Sequence, residues 1–149
     1  MAELDVLAVR TALEACGLNS VPSDDAVWVA MPSDTYLDSN GQHQIFIAIA
    51  PRSGGLLSLW LVPDLAPPEF RLGDPPAAGL LQSVLAYQWQ NKLVRFQLGD
   101  DGRLQDNIDM LVGDSGIDPA ALQSSLETLV SAVDGLIEHL REVSQWTRS

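Results

Sequence analysis

The chain has 149 residues, 46% of them hydrophobic, and a formal net charge of −12 from 20 acids against 8 bases. That length suits one domain spanning the whole chain, which at this size removes roughly 70% of the unfolded surface, and its single cysteine, Cys16, excludes an internal disulfide. The bases are scattered singly, which disfavours nucleic acid and anionic membranes as partners, and no apolar run approaches the roughly 20 residues of a membrane span.

Residues 3–17 read as an amphipathic helix. Leu4, Leu7, Ala8, Ala12, Leu13 and Cys16 recur at helical spacing, Glu3 and Asp5 favour the first turn, and Gly17 is placed to end it. The same two acids stand where a signal peptide carries positive charge, so with a lone cysteine a reducing, cytoplasmic setting is expected. Residues 19–25, rich in Ser, Pro and Asp, read as a polar connector.

Three strands follow at residues 26–31, 43–50 and 56–62, the last two joined through Pro51-Arg52-Ser53-Gly54-Gly55 as a hairpin. Ile45, Ile47 and Ile49 share a core face with Leu57, Leu59 and Leu61 if the register matches. The opposite face carries Phe46, Ala48 and Ala50 with Ser58, Trp60 and Val62. A solvated face normally alternates to polar residues, so this one is either a docking surface or is covered by the first or last helix.

Residues 63–76 hold five prolines and read as a tethered loop. Asp74-Pro75 then signals a second helix, with Ala77, Leu80, Leu81, Val84 and Leu85 as its apolar stripe and Tyr87 and Trp89 extending it. Residues 93–98 and 103–112 form a second hairpin around Gly99-Asp100-Asp101-Gly102. Asp118-Pro119 opens a long terminal helix running toward Ser144, whose Leu122, Leu126, Leu129, Val133, Leu136, Ile137 and Leu140 give the clearest periodicity in the chain. The fold class is therefore α+β in the order α-β-β-β-α-β-β-α, with an antiparallel sheet and a long C-terminal helix.

No catalytic constellation emerges. Gly113-Asp114-Ser115-Gly116 has the look of a protease nucleophile loop, but a serine nucleophile needs a positioned histidine and the chain offers only His43 and His139. The segment reads as a loop. Asp100-Asp101-Gly102 lacks the alternating acids of a calcium loop and reads as a turn. Neither histidine has a companion ligand at zinc spacing, so no metal and no cofactor is expected. Cys16 reads as a buried thiol, and Glu127, Asp134, Glu138 and Glu142 as a solvated helix face. Asp106 shares its face with Leu104 and Ile108; a bulge rotating it outward is the favoured reading, and a place at the edge of a groove is the other.

The stretch Leu85-Ala86-Tyr87-Gln88-Trp89-Gln90-Asn91, followed by Val94-Arg95-Phe96, Asp101-Gly102-Arg103-Leu104 and Ile117-Asp118-Pro119-Ala120-Ala121-Leu122 before the last helix, resembles type III secretion chaperones and the related YbjN-like proteins. The resemblance covers nearly the whole chain, and the proline-rich connector departs from the compact link it implies. It implies a non-enzymatic, chaperone-like protein that holds or stabilises a partner polypeptide, often as a homodimer. On that reading Phe46, Trp60 and Val62 are the expected partner-binding residues, and Leu81, Leu85, Tyr87 and Trp89 the expected dimer interface. A structural or regulatory subunit of a larger complex is the alternative. A small-ligand sensor or enzyme with a pocket under the proline-rich loop is the third.

Overall fold

A computed structural model describes residues 4–36, 38, 40–62, 68–73, 78–90, 93–99, 102–113 and 116–147, with side chains to residue 143. Helix α1 spans Val6–Ala15. Asp5 caps it by accepting a hydrogen bond from the Ala8 amide at 2.8 Å. At its other end Gly17 takes φ +74°, and the amides of Gly17 and Leu18 donate back to Glu14 O and Leu13 O, closing the helix with a left-handed glycine cap.

The expected polar connector instead contains a strand, β1, at Ser20–Ser23, which pairs antiparallel with β2 at Ala26–Pro32. Its signal was invisible because an edge strand is held by its backbone, and Pro22 is tolerated at an edge. Strand β3 covers Gln44–Arg52 and β4 Leu56–Leu61, so Pro51 and Arg52 extend the strand and the turn shrinks to Ser53-Gly54-Gly55. Both glycines there have positive φ. A short 3₁₀ helix, Pro68–Phe70, buries Phe70, and α2 runs from Ala78 to Gln90. Strands β5, Arg95–Leu98, and β6, Leu104–Leu111, precede α3, Pro119–Thr147. The Asp118 side chain accepts from the Ala120 amide at 3.2 Å and Pro119 is the first helical residue, as the sequence predicts. The capping expected at Asp74-Pro75, the Asp100-Asp101 turn tip and most of the proline-rich connector lie outside the described residues.

All six strands form one antiparallel sheet in the order β1-β2-β3-β4-β6-β5. The expected hairpin register holds: Ile47 faces Leu61 and Ile49 faces Leu59, with Val29 and Val27 on the next strand. These residues, the buried residues of α1 and the stripe of α3 make a single apolar cluster. Burial of one such leucine stabilises by about 2–5 kcal/mol, judged by truncation to alanine. Helices α1 and α3 thus pack on the same side of the sheet. Ala48, Ala50 and Val62 are buried too, yet they stand outside that cluster, on the other side.

Candidate functional site

Strand pairing builds the site. On the side away from the helices, Trp28 lies beside Ala48, and Ala48 beside Trp60, in one row across β2, β3 and β4. The next row along is Ala30, Phe46 and Val62, where the Val62 amide donates to Phe46 O at 3.0 Å. Phe46 and Trp60 are therefore diagonal neighbours. Neighbouring strands are about 4.8 Å apart, so the two indoles rise from backbones about 10 Å apart with only a methyl group between them. The result is a groove of about 320 Å³ lined by Trp28, Ala48, Ala50, Trp60, Val62 and Arg52, with Asp24 and Asp25 at one end. Val62 is buried in it, while Phe46, Trp28 and Trp60 are half-buried.

Charge is placed unevenly around this groove. The Arg52 guanidinium sits over the Trp60 ring, 5.2 Å from its centroid. Asp109, one strand over, accepts from the Ser58 hydroxyl at 2.6 Å. That bond first, then Asn107 and the charges of Arg95 and Arg52, holds its carboxyl below the usual range. At the same end of the strands as Arg52, one strand over, Asp24 and Asp25 form the two-residue turn between β1 and β2. Asp24 takes φ +53°, a left-handed conformation that aspartate tolerates better than most side chains.

Asp106 corrects the sequence reading. No bulge turns it outward: it pairs with Phe96 in regular register and is 6% exposed on the core side. β4 pairs with β6 only from Leu59–Ile108 onward, so the strands part before Leu61, and there the Asp106 carboxylate accepts the Leu61 amide at 2.8 Å. Its second oxygen is buried with no partner among the described residues, and burial pushes the acid up to about 7. Asp134 is a second correction. Rather than facing solvent with its helix neighbours, it accepts from Ser33 and Thr35 hydroxyls, each at 2.6 Å, and from the Asp34 amide, so it clamps the β2–β3 loop to α3. Arg141 reinforces this, reaching Glu69 at 2.7 Å and Thr35 O at 3.2 Å.

The α2 stripe divides in two. Val84 and Tyr87 turn inward, the Tyr87 hydroxyl donating to Ala132 O at 2.7 Å beside Phe96 and His139. Gly135 is what admits that ring, since a Cβ there would meet the hydroxyl at 2.5 Å. Leu81, Leu85 and Trp89, four residues apart each, lie along the outer side, with Leu85 62% and Trp89 78% exposed. Thus Tyr87 belongs to the chain's own packing, whereas the other three expected interface residues share an outward strip. The thiol of Cys16 donates to Pro119 O at 3.1 Å, and His43 is exposed. Gly113 and Gly116 close a tight turn, while Asp114 and Ser115 lie outside the described residues. Among the described residues no group of three His, Cys, Asp or Glu could hold a metal, and no helix is long and apolar enough to cross a membrane.

Two solved structures superpose on nearly the whole chain. YbjN from E. coli, a proposed transcription regulator, does so at TM-score 0.58 with 13% identity, covering 91% of this chain and 93% of its own. The fold is YbjN-like. The second match is an uncharacterized protein from Methanothermobacter thermautotrophicus, at TM-score 0.56 and 16% identity, covering 93% of this chain and 98% of its own. No family model and no curated protein sequence matches the chain. The YbjN-like likeness therefore speaks to architecture, and function must be argued from the groove.

Of the expected partner-binding residues, the sheet brings Trp60 and Val62 into the groove and leaves Phe46 on the adjoining row. Trp28 went unnoticed in the sequence. Its place beside Ala48 depends on how β2 pairs with β3 across a loop, and parity within one strand does not carry that.

Proposed function

We propose that this chain is a non-enzymatic, chaperone-like binding module that receives a segment of a partner protein on the open side of β2, β3 and β4. The Trp28–Ala48–Trp60 row carries the reading: two half-buried indoles flank a small-residue floor on the side away from α1 and α3. Aromatic side chains that are desolvated on docking concentrate interface energy, with a truncated tryptophan often costing 2 kcal/mol or more. The net charge of −12 argues that any regulatory role, such as the one proposed for YbjN, is exercised through a protein and not by gripping DNA phosphates. We further propose a homodimer formed through the outer strip of α2.

Trp60→Ser tests the docking reading. Its ring is half-buried but outside the core cluster, so the substitution should lower stability by about 1–2 kcal/mol, less than the roughly 3–5 kcal/mol of a tryptophan lost from a core. Partner recovery from the native host, measured beside the wild type by quantitative mass spectrometry, should collapse. A fall of many degrees in Tm would place Trp60 in the core and sink the proposal. A mixture of substoichiometric partners indicates chaperoning, and one stoichiometric partner a subunit of a complex.

A further inference from the structure

The end of β4 that serves the groove is a strand with one strand neighbour. β4 meets β6 only from Leu56–Leu111 to Leu59–Ile108. Past that point Trp60, Leu61 and Val62 keep β3 beside them, through Ala48, Ile47 and the Phe46 carbonyl. On their other side the Asp106 carboxylate takes the Leu61 amide at 2.8 Å, where a backbone carbonyl of β6 would otherwise pair. Trp60 and Val62, which flank Leu61, are the residues that β4 gives to the groove.

Two carboxylates of β6 thus lock the seam from opposite faces. On the outer face Asp109 accepts from the Ser58 hydroxyl at 2.6 Å. On the inner face Asp106 uses one oxygen and buries the other with no partner among the described residues. Phe96 stands opposite it, edge-on to Phe70 and to Tyr87. The titratable groups of the surrounding elements are turned elsewhere. Tyr87 donates to Ala132 O, His139 lies beside that ring, and Glu69 pairs with Arg141. Arg95 acts on Asp109, and Arg71 and Arg103 face each other past Leu104. None of these charges sets the acidity of Asp106: burial raises it to about 7 and only the Leu61 bond pulls it down. A polar hollow of about 190 Å³, lined by Arg95, Gln97, Gln105, Asn107 and Asp109, borders the same residue and gives water a short path to it.

We propose that Asp106 is a proton-operated latch on the docking row: protonated, it holds the Trp60–Val62 stretch to β6, and ionised, it lets the seam part at Leu61 and loosens that stretch. The inference rests on the docking reading above and supplies its regulation. An open seam hydrates the acid at its ordinary 3.8, so the closed seam binds the proton more tightly. Closure therefore weakens as pH rises from about 4 to about 7 and levels off beyond. Asp109 works in the other direction, its hold on Ser58 failing only in the acid range. The row is best ordered in mildly acid solution, where both carboxylates keep the seam shut.

Amide hydrogen exchange and NMR titration of the full chain test this. The Asp106 carboxyl carbon should titrate with a midpoint near 7. Between pH 6 and pH 8 the opening constant at the Leu61 amide, corrected for intrinsic exchange, should rise about tenfold, and the Trp60 indole resonance should shift or broaden with it. The Ile47 amide, in the middle of the sheet between β2 and β4, should stay as protected as before. Asp106→Asn should remove the pH dependence at Leu61, whereas Ser58→Ala should raise opening by the same factor at both pH values. The wild-type profile decides the matter if the Asn variant folds poorly. A midpoint near 4, or a flat opening constant at Leu61, overturns the latch. Equal rises at Leu61 and Ile47 replace it with global unfolding, and a pH dependence that survives in Asp106→Asn assigns it to another group. None of these results touches docking itself, which the Trp60→Ser recovery decides: its failure there would strip the latch of its role while the opening at Leu61 stood.

Discussion

A carboxylate with one oxygen satisfied and the other buried without a partner, as in Asp106, makes stability depend on pH. Its folded value of about 7 lies above the ordinary 3.8, so the folded state binds the proton more tightly than the unfolded one. The contribution is therefore most favourable below about pH 4, falls as pH rises from about 4 to 7, and is flat beyond. Asp38 and Asp109, held low by hydrogen bonds, act in the opposite sense and lose their contribution as pH falls through the acid range. Comparing wild type with Asp106→Asn isolates the buried group, because the amide oxygen can still accept from Leu61. Urea midpoints at pH 5 and pH 8 should show the wild type losing a few kcal/mol relative to the variant at the higher pH. Parallel midpoints would mean that Asp106 is charged or solvated throughout. Position alone flagged this residue in the sequence, since its parity matched Leu104 and Ile108. Its inward direction needed the point where β4 and β6 part company, a property of two strands far apart in the chain. Asp134 was hidden for the same reason: nothing in an acidic helix face marks the member that meets a serine and a threonine from a loop.

Strands at the two ends of the sheet show how elements protect themselves. β1 is short and carries Pro22, and β5 is short too, but its outer edge is closed differently. The Gln88 side chain from α2 donates to Val94 O at 2.8 Å and accepts from the Phe96 amide at 2.5 Å, so one amide group stands where another strand would pair. Unpaired edges invite other chains. Gln88→Ala should therefore cost about 1–3 kcal/mol and promote assemblies larger than those of the wild type, rising with concentration. Light scattering coupled to size exclusion checks this, and an unchanged mass distribution at high concentration would contradict the capping role. Helices and the two hairpins were legible from periodicity and turn residues. β1 was not, because backbone pairing leaves no pattern in side chains, and the α2 stripe misled because one run of apolar residues serves two surfaces.

For the molecule as a whole, the outer strip of α2 is where self-association is expected. Leu81, Leu85 and Trp89 continue toward exposed Leu93. A wild-type dimer should sediment at about twice the monomer mass of 16.1 kDa, and Leu85→Glu should return it to monomer. Because each copy carries −12, added salt should tighten this dimer by screening repulsion. A dimer unaffected by the Leu85 change would place the interface elsewhere. The α+β architecture, the hairpin register and the terminal helix were all read correctly from the chain. The aromatic row was only half read, for it is assembled from three strands.

Chain order also sets a schedule for synthesis. β1 through β4 are consecutive neighbours, complete once Leu61 has been added, and α1 covers only the β1–β3 end of their apolar side. The rest waits for α3, whose first residue is Pro119. At ordinary elongation rates a ribosome thus holds a bare aliphatic sheet for several seconds. During that interval the growing polypeptide is itself a substrate for the cell's folding machinery. A stalled product lacking α3 should precipitate where the full chain stays in solution.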